Sequence, residues 1–166
     1  MPRPYTFVLP CQPVASARAR IVSTIKTTID IGASPETVWR VLTNFSAYPK
    51  WNPFIREIHG KPERGARLKV RMRLSKQSSQ RFSPRVTKVI PAAELHWRGK
   101  FVFRGLFDGE HSFIIVPNGV NGVRFIQREQ FTGLLVPVIF PFIGKKTEAA
   151  FERMNKALKK AAEEKH

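Results

Sequence analysis

The sequence predicts an α+β domain in which a seven-stranded, curved antiparallel sheet wraps one long C-terminal helix, with two short helices after the first strand. Three observations predict it. Segments of alternating apolar and polar residues recur seven times, separated by turn-rich stretches. A helix-start signature, Ser34-Pro35-Glu36, follows the first of them. Near the C-terminus, Phe151, Met154, Leu158 and Ala161 recur at spacings of three or four with Lys and Glu between them, one apolar helical stripe.

Residues 21–31 alternate around Ile25, Ile29 and Ile31 and read as the first strand. Ser34 then offers an N-cap hydroxyl, Pro35 suits the first helical position, and Glu36 places a negative charge against the helix dipole. A helix is therefore expected over 35–44, with Val38, Val41, Leu42 and Phe45 on its inner side. A second helical turn over 46–50 ends at Trp51-Asn52-Pro53, because the residue before a proline is pushed out of the helical region. Strands are expected over 55–61, 66–75, 81–90, 94–103, 109–117 and 122–131. Their separators are Pro62-Glu63-Arg64-Gly65, residues 76–80, Pro91-Ala92-Ala93 and residues 118–122. From about residue 133 the pattern turns helical. A curled antiparallel sheet must cover its apolar face, and this terminal helix is the element long enough to do so.

With 166 residues, 42% hydrophobic and 25% charged, the chain fits one ordinary globular domain. Residues 1–20 read as a basic, proline-containing N-terminal arm, and 21–164 as the domain. The balance of 29 Lys and Arg against 12 Asp and Glu gives a formal charge of +17, which suits an anionic lipid surface, nucleic acid or an acidic partner. Many cations alternate with apolar residues, as in Leu68-Lys69-Val70-Arg71-Met72-Arg73-Leu74, the pattern of a strand's wet face. Interleaved exposed aromatics are missing there, which argues against nucleic acid. Cys11 is the single cysteine, so an intrachain disulfide is excluded. The longest apolar run, 134–143, is too short for a membrane span and contains Pro137 and Pro141. A cytoplasmic location is expected, with an organelle-targeting N-terminus as the alternative, since residues 1–29 contain no acid.

Five segments together resemble the SRPBCC, or START-like helix-grip, superfamily, and within it the polyketide cyclase/dehydrase-like branch. They are residues 29–39 with Gly32-Ala33-Ser34-Pro35-Glu36, 48–54 with Trp51-Asn52-Pro53-Phe54, Leu95-His96-Trp97-Arg98-Gly99, 107–113 with Gly109-Glu110-His111, and 129–135 with Gly133-Leu134-Leu135. The resemblance covers about residues 22 to 163. It implies a helix-grip fold with an apolar cavity between sheet and helix, whose occupants elsewhere in the superfamily include lipids, sterols, plant hormones, quinones and polyketide chains. The arm has no counterpart in the pattern.

Strand alternation points Phe113 and Ile115 inward, and His111 with them; on the next strand Val123, Phe125 and Phe131 bring Gln127 and Glu129 inward. If the hairpin centres near 119–120, paired residue numbers sum to about 240, placing His111 opposite Glu129 and Phe113 opposite Gln127. A histidine beside a carboxylate can orient a polar ligand group or move a proton, so this pair is the candidate for catalysis. Satisfying each other as a buried pair is the plainer reading. Trp51, Phe54, Trp97, Phe113 and Leu135 are the expected apolar contacts, with His111, Gln127 and Glu129 as the polar ones. Trp39 reads as structural. The apolar segment 134–143 reads as the start of a kinked helix, or as a lid or membrane-docking surface helped by Lys145 and Lys146.

No metal or cofactor is expected: His59, His96, His111 and His166 are too scattered for a zinc site, and Gly-rich phosphate loops and Gly-x-Ser-x-Gly elbows are missing. Three functions remain: a carrier or sensor for a hydrophobic small molecule such as a lipid, quinone, sterol or polyketide; a metal-free cyclase, dehydratase or isomerase using the same pocket; and a peripheral membrane or interaction module. Non-enzymatic binding is favoured, and nothing in the sequence fixes the oligomeric state.

Overall fold

The computed structural model describes residues 21–75, 78–100 and 105–164. β1 (Val22–Ile31) leads into α1 (Pro35–Thr43), a 3-10 turn (Phe45–Ala47) and α2 (Tyr48–Trp51). Seven strands follow, β2 (Ile55–His59), β3 (Lys69–Ser75), β4 (Ser78–Phe82), β5 (Arg85–Ile90), β6 (Glu94–Lys100), β7 (Asp108–Pro117) and β8 (Val123–Thr132), before α3 (Val136–Glu163) closes the chain. The α+β helix-grip architecture is as the sequence predicts. The N-terminal arm with Cys11, and the expected strand end at 101–103, lie outside the described residues.

The strand count differs from expectation. Where the sequence reads one strand over 81–90, the chain forms β4 and β5, broken at Ser83-Pro84. Pro84 has no N–H to give to a ladder, although its carbonyl still accepts from Leu68 N–H at 2.8 Å. The break divides the sheet into an array ordered β1-β8-β7-β6-β5 and a smaller one ordered β2-β3-β4. The two stay stitched together by the Arg67–Arg85 bridge and by Val86 N–H to Ala66 O at 2.9 Å. β4 also begins inside the expected separator 76–80, with Ser75 opposite Ser78.

α1 starts as its sequence dictates. Ser34 Oγ accepts from Thr37 N–H at 3.2 Å, and Val38, Val41 and Leu42 on the helix and Phe45 beyond it are buried. Tyr48 is wholly buried and donates its hydroxyl to Leu42 O at 2.7 Å.

α3 lies along β1 and against α1 and β8. Phe151, Met154 and Leu158 are buried, and Ala161 is partly buried. Polar contacts fix its depth: Asn155 Nδ2 donates to Thr27 Oγ1 at 2.9 Å, Lys159 Nζ to Asp30 O at 2.8 Å, and Gly32 N–H to Glu163 Oε1 at 2.8 Å. At the helix entrance Gly133 has φ 135°, a conformation that side-chain-bearing residues rarely adopt. Pro137 falls in the first turn, where a missing N–H costs nothing, and the helix continues through Pro141.

Candidate functional site

Burial alternates along β8 and, apart from Ser112, which is also buried, along β7 from Asp108 to Ile115. His111, Phe113 and Ile115 on one strand and Val123, Phe125, Gln127, Glu129 and Phe131 on the other are buried on the face toward α3. The register pairs His111 with Glu129 and Phe113 with Gln127, the pairing read from the hairpin centre.

Between this face and α3 lies a cavity of about 450 Å³. Its wall is aromatic and aliphatic: Phe54, Phe82, Trp97, Phe107, Phe131 and Phe151, with Met72 and, from α3, Ile139 and Ile143. Polar lining comes from Gln80, Arg81, Lys100, His111, Glu129 and Thr147. Stacked and edge-on rings make the aromatic part rigid: Trp97 lies over His111 at 5.3 Å, Phe107 over Phe131 at 5.2 Å, and the edge of His111 meets Phe151 at 5.0 Å.

His111 Nδ1 is 2.5 Å from Glu129 Oε2, and both side chains are nearly closed off from solvent. On the other side of the ring, Gln127 Nε2 stands 3.2 Å from His111 Nε2 and 3.6 Å from Met154 Sδ. A neutral ring satisfies both contacts with its proton on Nδ1, donating to the carboxylate while Nε2 accepts from the amide. Both ring nitrogens are thus engaged within the protein. Glu129, whose Oε2 faces His111, is the carboxylate on the cavity wall.

Of the residues expected from sequence, Phe54, Trp97, His111 and Glu129 line the cavity. Phe113 and Gln127 sit one layer behind it, wholly buried, where Phe113 backs Trp97 at 5.0 Å and Gln127 backs His111. Trp51 is half-buried at the end of α2 with its ring against Tyr48 at 4.9 Å. Leu135 is the residue before α3, and its N–H bonds to Leu106 O at 2.9 Å, so its backbone positions the helix start. Sequence reasoning missed Ile139, Ile143 and Thr147. Their signal was present, because they extend the stripe of Phe151 upstream in steps of four. Phe107 precedes β7 and carries no periodic signal.

A second polar cluster occupies the outer face of the sheet. His96 Nε2 lies 2.8 Å from Glu94 Oε2, its Nδ1 lies 3.3 Å from Ser112 Oγ, and Lys88 Nζ donates to Glu94 Oε2 at 2.7 Å. Burial draws His96 below its ordinary 6.5, against the pull of Glu94 in the opposite direction. The Lys88 hydrogen bond holds Glu94 below the usual carboxylate range. This cluster points away from the cavity.

A long helix held in a curved antiparallel sheet, with an apolar cavity between them, defines a START-like helix-grip protein. Residues 23–163 match the family model described as "Polyketide cyclase / dehydrase and lipid transport", and the chain belongs to that family. Among solved structures, it resembles a START superfamily protein from Mycobacterium smegmatis at 24% identity and TM-score 0.68, covering 86% of this chain and 99% of that one. The Zhui aromatase/cyclase from Streptomyces sp. R1128 aligns at 13% identity and TM-score 0.71, covering 86% and 94%. Norcoclaurine synthase from Thalictrum flavum, in complex with dopamine and hydroxybenzaldehyde, aligns at 14% identity and TM-score 0.67, covering 97% and 98%. At these identities the likeness is one of fold. No curated protein matches the chain.

Proposed function

We propose that this protein binds a hydrophobic small molecule, of lipid, quinone, sterol or polyketide type, between the sheet and α3, as a carrier or sensor. The observation that carries the reading is the cavity itself. Its volume of about 450 Å³ falls within the roughly 300–1,000 Å³ of small-molecule sites. Its wall is mostly apolar, and its buried ionisable side chains are the paired His111 and Glu129. An apolar body would rest against Trp97, Phe131, Ile139 and Ile143, while a hydroxyl or other donor on the ligand meets the Glu129 carboxylate.

The test is native mass spectrometry of the purified protein followed by organic extraction. One hydrophobic molecule per chain, or a rise in Tm with members of a panel of lipids, quinones and polyketides, supports the reading. An empty protein that gains no stability from any of them rejects it.

A second reading is favoured by the same pair: a metal-free cyclase, dehydratase or isomerase, in which Glu129 and His111 move protons on a bound chain. It predicts turnover of a ligand found by extraction, with a pH-dependent rate that His111→Gln abolishes while binding survives. Stoichiometric binding without turnover leaves the carrier.

A further inference from the structure

The first turns of α3 have two apolar sides. One, with Ile139 and Ile143, walls the cavity. The other points to water: Leu134 is 73% exposed, Val138 63% and Phe142 75%. These three are four residues apart, so they form one stripe along the helix entrance and its first two turns. Such residues at such exposure, side by side, are unusual on a soluble surface. Pro137 and Pro141 lie exposed within the same segment.

Charge identifies what the stripe meets. From Gly133 to Thr147 the chain has no acid, and its charged residues are Lys145 and Lys146, both exposed and one turn beyond Phe142. On a helical wheel, Lys145 and Lys146 flank the direction of Val138 and Phe142. An apolar strip with adjacent ammonium groups, on a chain of formal charge +17, matches the boundary of an anionic bilayer, with acyl chains for the strip and headgroup phosphates for the lysines. No described helix is long and apolar enough to cross a membrane, so the contact is with its surface.

We propose that the exposed face of Leu134, Val138 and Phe142, with Lys145 and Lys146, docks this protein on anionic phospholipid membranes. The docked helix is also the wall of the cavity, so the bilayer contact and the pocket share α3. The proposal does not depend on what the cavity binds, because membrane association is read without a pocket ligand.

The experiment is sedimentation of the full chain with vesicles of phosphatidylcholine alone or with 30% phosphatidylglycerol, a composition of roughly physiological anionic content. Wild type is expected to bind the anionic vesicles, and to bind the neutral ones at least tenfold more weakly. Val138→Asp/Phe142→Asp and Lys145→Glu/Lys146→Glu each reduce anionic binding at least tenfold with Tm unchanged, since all four side chains are exposed. Lys69→Glu/Arg73→Glu, an equal charge change on the outer face of β3, retains binding. Phe142→Trp shows a blue-shifted emission on anionic vesicles. The proposal is overturned if wild type ignores anionic vesicles, if the β3 pair matters as much as the lysines, or if the stripe variants bind as wild type does. It is equally overturned if light scattering finds a dimer that Val138→Asp/Phe142→Asp dissociates, because a second copy then covers the stripe.

Discussion

His111 and Glu129 stand directly opposite each other on β7 and β8, Nδ1 to Oε2 at 2.5 Å, with the rings of Trp97 and Phe151 packed on the imidazole. Each is the other's reason for being there. A carboxylate in the cavity wall needs a donor, and a ring stacked on Trp97 needs an acceptor for its N–H.

Breaking the pair from one side should therefore cost more than removing it whole. Glu129→Leu leaves the buried Nδ1 unpartnered and is expected to destabilise by about 1–3 kcal/mol. His111→Phe leaves the carboxylate without its donor and should cost at least as much. The double variant replaces both by apolar groups and should fall short of the sum by about 1–3 kcal/mol in urea unfolding. Additive values would mean the two side chains act independently.

Ile143 offers a way to fill the cavity without touching the polar pair. Overpacking costs stability where a core is full, but here the side chain borders open volume. Ile143→Phe is expected to hold Tm within a few degrees while weakening any extracted ligand at least tenfold by titration. A large fall in Tm would show that the space beside Ile143 is too small to accept a ring.

How much of this was legible follows from which residues carry periodic signals. Inward alternation and the hairpin centre are enough to pair His111 with Glu129 from the sequence, because a strand's side chains have a strict period of two. Val38, Val41, Leu42 and Phe45 were readable for the same kind of reason at a helical period. Pro84 was not read as a break, since a proline at a strand edge and one at a sharp bend look alike in sequence. Phe113 and Gln127 were correctly turned inward, but facing inward does not distinguish the cavity wall from the layer behind it. That depends on how far α3 stands from the sheet, which contacts such as Asn155 to Thr27 determine across 128 positions of sequence.

Gly133 is what allows α3 to begin where it does. Its φ of 135° is strained for any side chain, and a Cβ there would sit 2.3 Å from Leu106 O. That obstacle is backbone, held by Leu134 N–H to Gly105 O and Leu135 N–H to Leu106 O. Gly133→Ala is expected to destabilise by about 2 kcal/mol or more, with faster amide exchange at 134–136. A neutral substitution would mean the loop yields at no cost.

His96 gives a pH dependence whose sign can be worked out. Burial lowers its folded-state pKa below the ordinary 6.5. Between the folded value and 6.5 the unfolded chain binds more protons than the native one, so stability rises with pH there. The contribution is complete above about 6.5 and is lost as pH falls through the folded value. The groups around the ring act in both directions: Glu94 and Glu110 favour its charged form, Lys88 disfavours it, and Arg98 competes for Glu110. Glu94, held low by Lys88, loses its own stabilising contribution only further down, below its ordinary 4.5. Urea unfolding between pH 7.5 and 5.5 should thus show stability falling toward acid, by less than about 1.4 kcal/mol per pH unit for one titrating group. His96→Gln should flatten that slope, because its amide stays neutral over the whole interval. An equal slope in both proteins would assign the acid sensitivity to another residue.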